Sequence, residues 1–150
     1  MIVEKKPTDE LDELLKNTKP EQAASYIRKN RKYLADGEKA FYYYMKDVLE
    51  EKGILLKDVY SFAGFSENYG GKLLRMEKHA KNRDHIIRLC IAGHFNLDEI
   101  NRALKLYKYR ELYSKDPRDA CIIIAINNRL FDLYKIDEML VQNGMERIME

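Results

Sequence analysis

Glycine and proline are scarce in this sequence, with seven and three among 150 residues. Sheets of many short strands need frequent tight turns, so the shortage argues against an all-β sandwich and favours long helices. No apolar run approaches the roughly 18 uncharged residues that a membrane-spanning helix needs, so no membrane partner is expected. The opening stretch, MIVEKKPTDELDELLKN, has lysines but no apolar core, so no secretory leader is expected. Cysteine is limited to Cys90 and Cys121, inside the apolar stretches RLCIAG and ACIIIA. That usage points to two buried, reduced thiols and a cytoplasmic protein rather than to a disulfide framework. An excess of one charge is also missing: 27 Lys and Arg face 25 Asp and Glu, a net of +2. So small a total selects no class of partner.

What is present is a folding composition, 45% apolar and 35% charged, in a length typical of about one domain. The distribution of charge says more than its sum. Residues 1–25 carry Lys5, Lys6, Lys16 and Lys19 against Glu4, Asp9, Glu10, Asp12, Glu13 and Glu21. Residues 132–150 carry Lys135 and Arg147 against Asp132, Asp137, Glu138, Glu146 and Glu150. Between these acidic ends, residues 72–88 hold Lys72, Arg75, Lys78, Lys81, Arg83 and Arg88 against Glu77 and Asp84. A surface for a polyanion is expected there.

Apolar spacing is helical throughout. Leu11, Leu14 and Leu15 follow Thr8, an expected N-cap; Pro20 opens a second segment marked by Ala23, Ala24, Ile27 and Leu34, and Asp36-Gly37 breaks it. Phe41, Tyr44, Met45, Val48 and Leu49 predict a helix over about 38–52 ended by Gly53. Further helices are predicted at about 56–63, 67–77, 83–92, 97–107, from Pro117, and around Leu133, Ile136, Met139 and Leu140. The run CIIIAI has strand propensity, but its length, the preceding Asp-Pro and the lack of a second strand favour a buried helix. The expected architecture is all-α, with an N-terminal helical arm (1–36), a central domain (37–108) and a C-terminal helical hairpin (109–150) that packs on the domain or forms a dimer interface.

A faint repeat runs through the second half. Arg83-Asp84, Ile87 and Ile91 match Arg118-Asp119, Ile122 and Ile126; after one inserted residue, Ile100 and Leu104 match Ile136 and Leu140. Two similar helical hairpins packed on each other, or ordinary likeness between amphipathic helices, both account for it.

The segment LLKDVYSFAGFSENYGGKLLRME, residues 55–77, has the pattern of a helix-turn-helix. Ala63 is small enough for two helices to cross closely, Gly64 can take positive φ, and Ser66 can cap the second helix. Residues 41–106 resemble the five-helix DNA-binding domain of phage-repressor-like regulators (Cro/CI, XRE type). Ala63-Gly64-Phe65-Ser66 matches that family's Ala-Gly-hydrophobe-Ser turn, and NRDHIIRLCIAGHFNLDEINRAL is similar to its fourth and fifth helices. LYSKDPRDACIIIAINNRLFDLYKIDEMLVQNG resembles a helical extension found in a subgroup.

The resemblance implies a recognition helix at about 66–76 in the major groove of duplex DNA. Base-reading candidates are then Glu67, Asn68, Tyr69 and Lys72, behind the capping Ser66: Asn68 suits adenine, Glu67 suits cytosine, and Lys72 suits guanine or phosphate. Lys57, Arg75, Lys78, Lys81 and Arg83 are phosphate candidates. Arg83 and Arg118, each before an Asp at a helix start, are equally suited to salt bridges. Two departures stand out. Glu67 repels phosphate, and Gly70-Gly71 inside the helix costs about 2 kcal/mol against alanine.

Other chemistries find no support. Gly64 to Lys72 lacks phosphate-loop spacing, with Leu73 where a magnesium-binding hydroxyl is needed. His79, His85 and His94 form no zinc motif, Cys90 with His94 supplies only two ligands, and no GxSxG is present. Tyr42 and Tyr43 are expected to face outward, and Phe41 and Tyr44 inward. No cofactor, metal or enzymatic activity is expected. The leading expectation is a sequence-specific double-stranded DNA-binding transcriptional regulator acting as a homodimer. The alternative is a helical module that binds a protein partner and has lost DNA recognition.

Overall fold

The structure, a computed structural model, describes residues 8–30 and 39–150, and of Thr8 and Asp9 only the backbone. The expected Thr8 cap, the Leu34 position and the Asp36-Gly37 break lie outside the described residues. Those described form nine α-helices and no strand. None of these helices is long and apolar enough to cross a membrane.

The arm region contains α1 (Thr8–Lys16), a 3-10 turn (Pro20–Gln22) and α2 (Ala23–Asn30). Three helical hairpins then follow. The first is α3 (Ala40–Lys52) with α4 (Leu56–Ala63), and a short α5 (Glu67–Leu74) comes after it. The second is α6 (Arg83–Ala92) with α7 (Leu97–Leu106), and the third is α8 (Pro117–Asn127) with α9 (Leu133–Gln142). CIIIAI therefore lies in a helix, as its context requires. Each hairpin turns through one left-handed residue: Gly53 (φ 69), His94 (φ 58) and Arg129 (φ 56). The amide after each one reaches back to close the helix, Ile54 to the Leu49 carbonyl (3.0 Å), Phe95 to Cys90 (3.0 Å) and Leu130 to Ala125 (2.9 Å).

Helix α6 is the centre of the core, with every residue from His85 to Ala92 buried. It packs against α4, α7 and α9, while α7 packs against α3, α6 and α8. The hairpins thus stack by one rule: the first helix of each lies on the second helix of its neighbour, and the reverse. This is the exchange that a two-fold axis produces.

The sequence repeat has a structural counterpart at atomic detail. Arg83 pairs with Asp119, and Arg118 makes a two-pronged contact with Asp84 at 3.0 and 2.8 Å. The Arg-Asp dipeptides of α6 and α8 therefore exchange partners. Each arginine also donates to the chain that follows its own hairpin: Arg83 to the carbonyls of Arg110 and Glu111 (3.4 and 3.2 Å), Arg118 to those of Glu146 and Arg147 (3.1 Å each). Those segments leave their helices alike, through Lys108 (φ 69) and Gly144 (φ 73). Both are held by a side-chain oxygen from the second helix: Asn101 accepts from the Leu112 amide (2.9 Å), Asp137 from the Ile148 amide (2.6 Å). Likeness between amphipathic helices does not reproduce turns, straps and crossed ion pairs together. The second and third hairpins are two versions of one unit.

The two crossed pairs differ in burial. Asp119 is 1% exposed and also accepts from Arg110 and from the Tyr113 amide, whereas Asp84 is 23% exposed at its side chain. Asp119→Ala should cost about 3 kcal/mol or more, because it leaves Arg83 charged and poorly solvated. Asp84→Ala should cost nearer 1 kcal/mol. Urea unfolding of both variants checks the ranking.

Candidate nucleic-acid interface

Helix α4 ends at Gly64, whose φ of 79 gives the sharp reversal, and its amide closes on Ser61 and Tyr60. That positive φ is what requires glycine; the nearest atoms to an added Cβ would be the movable ends of Met149 (2.8 Å) and Arg88 (3.0 Å). Ser66 then caps α5 as expected, its hydroxyl accepting from the Tyr69 amide at 3.1 Å. The helix is shorter than the expected 67–77. It ends at Leu74, and Met76 takes φ 62 in the following turn.

The glycine pair has separate explanations at its two positions. A Cβ on Gly70 would lie 2.4 Å from the Tyr60 ring, so α4 and α5 meet there through a tyrosine laid on bare backbone. At Gly71 the near group is the guanidinium of Arg75, 2.8 Å away at the free end of a flexible side chain. Leu73 and Leu74 bury the inner face. The outer face presents Glu67, Asn68, Lys72 and Arg75, all exposed.

Lys57, Lys78 and Lys81 are exposed as well, and the Lys78 ammonium lies 5.3 Å from the Tyr69 ring centroid. Arg75 is joined to Glu77 at 3.0 Å. Glu77 titrates below the usual carboxylate range, first through that hydrogen bond and then through the field of Arg75, Lys39 and Lys72. The acid lies among cations.

Tyr69 is half-buried; its hydroxyl meets His85 Nδ1 at 2.8 Å and its ring packs against Phe65, contacts that compete with the base-reading role expected of it. Arg83 is bound to Asp119 and its side chain is 12% exposed, so its expected phosphate contact gives way to the salt-bridge reading. Arg88, counted above in the central basic density, is 5% exposed. It donates to the Ala63 carbonyl at 2.9 Å and to that of Gly64 at 3.4 Å, and its guanidinium lies 4.1 Å from the Phe65 ring centroid. It supplies donors to the carbonyls at the C-terminus of α4, which have no partner within the helix.

The last residues complete the support. Asp137, itself buried, accepts from the amides of Ile148 (2.6 Å) and Met149 (3.1 Å). Met149 lies against Gly64, and Glu150 meets His85 Nε2 at 2.6 Å and Arg88 at 3.6 Å. The tail thus braces the turn before α5 from behind. A charged residue in the middle of the apolar helix RDHIIRLCIA was the sequence signal for Arg88; the tail and Tyr60 gave none.

Of the remaining candidates, Cys90 is buried, with its thiol pushed up by burial, while Cys121 is only half-buried, against expectation. Phe41 and Tyr44 are buried and Tyr43 is exposed, as their spacing predicts, whereas Tyr42, also expected outward, is half-buried against the core. Among the described residues no three His, Cys, Asp or Glu side chains are grouped to hold a metal ion.

Gly70→Ala should destabilise the protein by about 1–3 kcal/mol, since the Tyr60 ring has to move. Gly71→Ala should be neutral or stabilise by up to about 1 kcal/mol, because only Arg75 must swing aside. Chemical denaturation of the two variants distinguishes them. The tail contact carries a pH signature. His85 and Arg88 hold the Glu150 carboxyl below its usual range, so its contribution is complete above the ordinary carboxylate value and fades as pH falls through the lowered one. A melting curve measured against pH should lose this acid-side slope in Glu150→Gln.

No protein-family model, curated protein or solved structure matches this chain.

Proposed function

We propose that this protein binds double-stranded DNA through α5, as a sequence-specific transcriptional regulator with no catalytic step. The observation that carries the reading is the two-sidedness of α5. Its inner face is pinned by Tyr60, Leu73 and Leu74, while Glu67, Asn68, Lys72 and Arg75 stand outward. A short helix held rigidly behind a tight turn, with its N-terminal side chains free, has the form that enters a major groove. Asn68 suits adenine and Lys72 guanine or phosphate; Glu67 suits cytosine N4. Lys57, Arg75, Lys78 and Lys81 supply the backbone contacts that set register and give salt-dependent affinity. Arg83 and Tyr69 have no part in this reading, being engaged inside the protein.

The rival reading, a module that binds a protein through the same region, is favoured by Glu67 and Glu77 among the cations and by Phe62, which is 68% exposed on α4.

Fluorescence anisotropy with a labelled duplex pool at low and high salt separates the two. DNA binding that weakens steeply with salt and is lost in the double variant Lys72→Ala, Arg75→Ala supports the proposal; binding indifferent to both overturns it. Asn68→Ala should relax base preference by about 1–3 kcal/mol at one position. Glu77→Gln should tighten binding, because it removes a negative charge from the phosphate-facing side.

A further inference from the structure

Among the described residues, the stacking rule of the hairpins leaves one face without an occupant. The second hairpin buries two faces, one under the third hairpin and one under the first. Its contacts with the first are direct. Arg88 donates to the Ala63 carbonyl, Gly93 abuts Leu49, and Lys52 pairs with Glu99 at 3.0 Å. In the repeat, Arg88 corresponds to Ile123, Gly93 to Asn128 and Glu99 to Lys135. Ile86 and Leu89, both fully buried, correspond to Cys121 and Ile124. Cys121 and Ile123 are half-buried, and Ile124 is 56% exposed. On the third hairpin the α8 half of this face is apolar and open to solvent, while the α9 half carries the exposed Lys135.

The two ends of the stack are finished differently. A terminal unit in stacked-helix proteins needs a polar outer face. On the first hairpin α3 shows Lys46 and Glu50 to solvent, although Tyr43 and, on α4, Phe62 are exposed as well. Helix α8 has no charged residue from Ala120 to Asn128. Its outer surface is built as an interior surface.

We propose that this face of α8, with the flank of α9 at Met139, is the two-fold interface of a homodimer. The occupant follows from the stacking rule. Both junctions within the chain bring the first helix of one hairpin onto the second of the next and the reverse, the pairing a two-fold would give. Applied once more with a second copy, the same rule lays α8 on the partner's α9 and α9 on the partner's α8. A two-fold contact closes, so the assembly stops at two chains. It also places each residue near the axis beside its own copy, which an uncharged centre tolerates and a charged one does not. This inference does not depend on DNA binding.

The test is sedimentation of the full chain. Wild type is expected as a dimer with a concentration-dependent melting temperature, and Ile124→Asp as a monomer with unchanged helical circular dichroism and a melting temperature independent of concentration, because Ile124 is 56% exposed within its own chain. Asn127→Glu, on the same face, is expected to shift dimer toward monomer likewise, and stands in if the first variant misfolds. Leu15→Asp, on the partly exposed apolar side of α1, is expected to remain a dimer. A monomeric wild type overturns the proposal. So does a dimer that survives both α8 variants, or one that Leu15→Asp abolishes.

Discussion

Two arginine–aspartate pairs, exchanged between the starts of α6 and α8, hold the second and third hairpins in register. Each arginine works twice, across to the other unit's aspartate and back to the carbonyls of its own trailing segment. Guanidinium suits this role because its five donors lie in one rigid plane, so one side chain can satisfy a carboxylate and two carbonyls together. Fixing the trailing segment of the third hairpin carries Ile148, Met149 and Glu150 to the turn at Gly64. The position of α5 thus depends on ion pairs formed elsewhere in the chain.

Gly70 illustrates tertiary contact overriding local preference. Read alone, two adjacent glycines weaken a short helix. Packed, the first lets the Tyr60 ring lie against backbone, closer than any side chain would allow. The helix gives up intrinsic stability and gains a fixed seat, which is the more useful property for a surface that must present side chains in one geometry. Gly71 has no comparable reason, since only the Arg75 guanidinium covers it.

The helices were legible because apolar spacing at 3.6 residues reports directly on burial. Predicted starts at Leu56, Arg83, Leu97 and Pro117 agree with the structure, each following a residue in extended conformation or a proline signal. The end of α5 was not legible, because Met76 takes positive φ without being glycine. The repeat was visible through its Arg-Asp dipeptides, but its meaning as crossed pairs was not, since spacing alone does not say which aspartate an arginine faces. For the candidate site, the outward Asn68, Lys72 and Arg75 follow from helical phase. Tyr69 and Arg88 look equally available in sequence, and only the packing of His85, Phe65 and the tail engages them within the fold. The tail itself has no periodicity that would announce a structural role.

On the proposed reading, the acids on the α5 side have a physical consequence beyond weakening attraction. Phosphate contacts are the same for every sequence, so cations alone produce affinity without discrimination. Glu67 and Glu77 oppose that general term while leaving base-edge contacts intact. Binding then depends more on Asn68 and Lys72 meeting the right bases, because less affinity remains for an arbitrary duplex. Glu77 is suited to this because it is held charged among Arg75, Lys39 and Lys72, in the field a phosphate would otherwise fill. A nearly neutral chain is consistent with such a balance, in which a modest attraction for phosphate leaves the choice of site to hydrogen bonds.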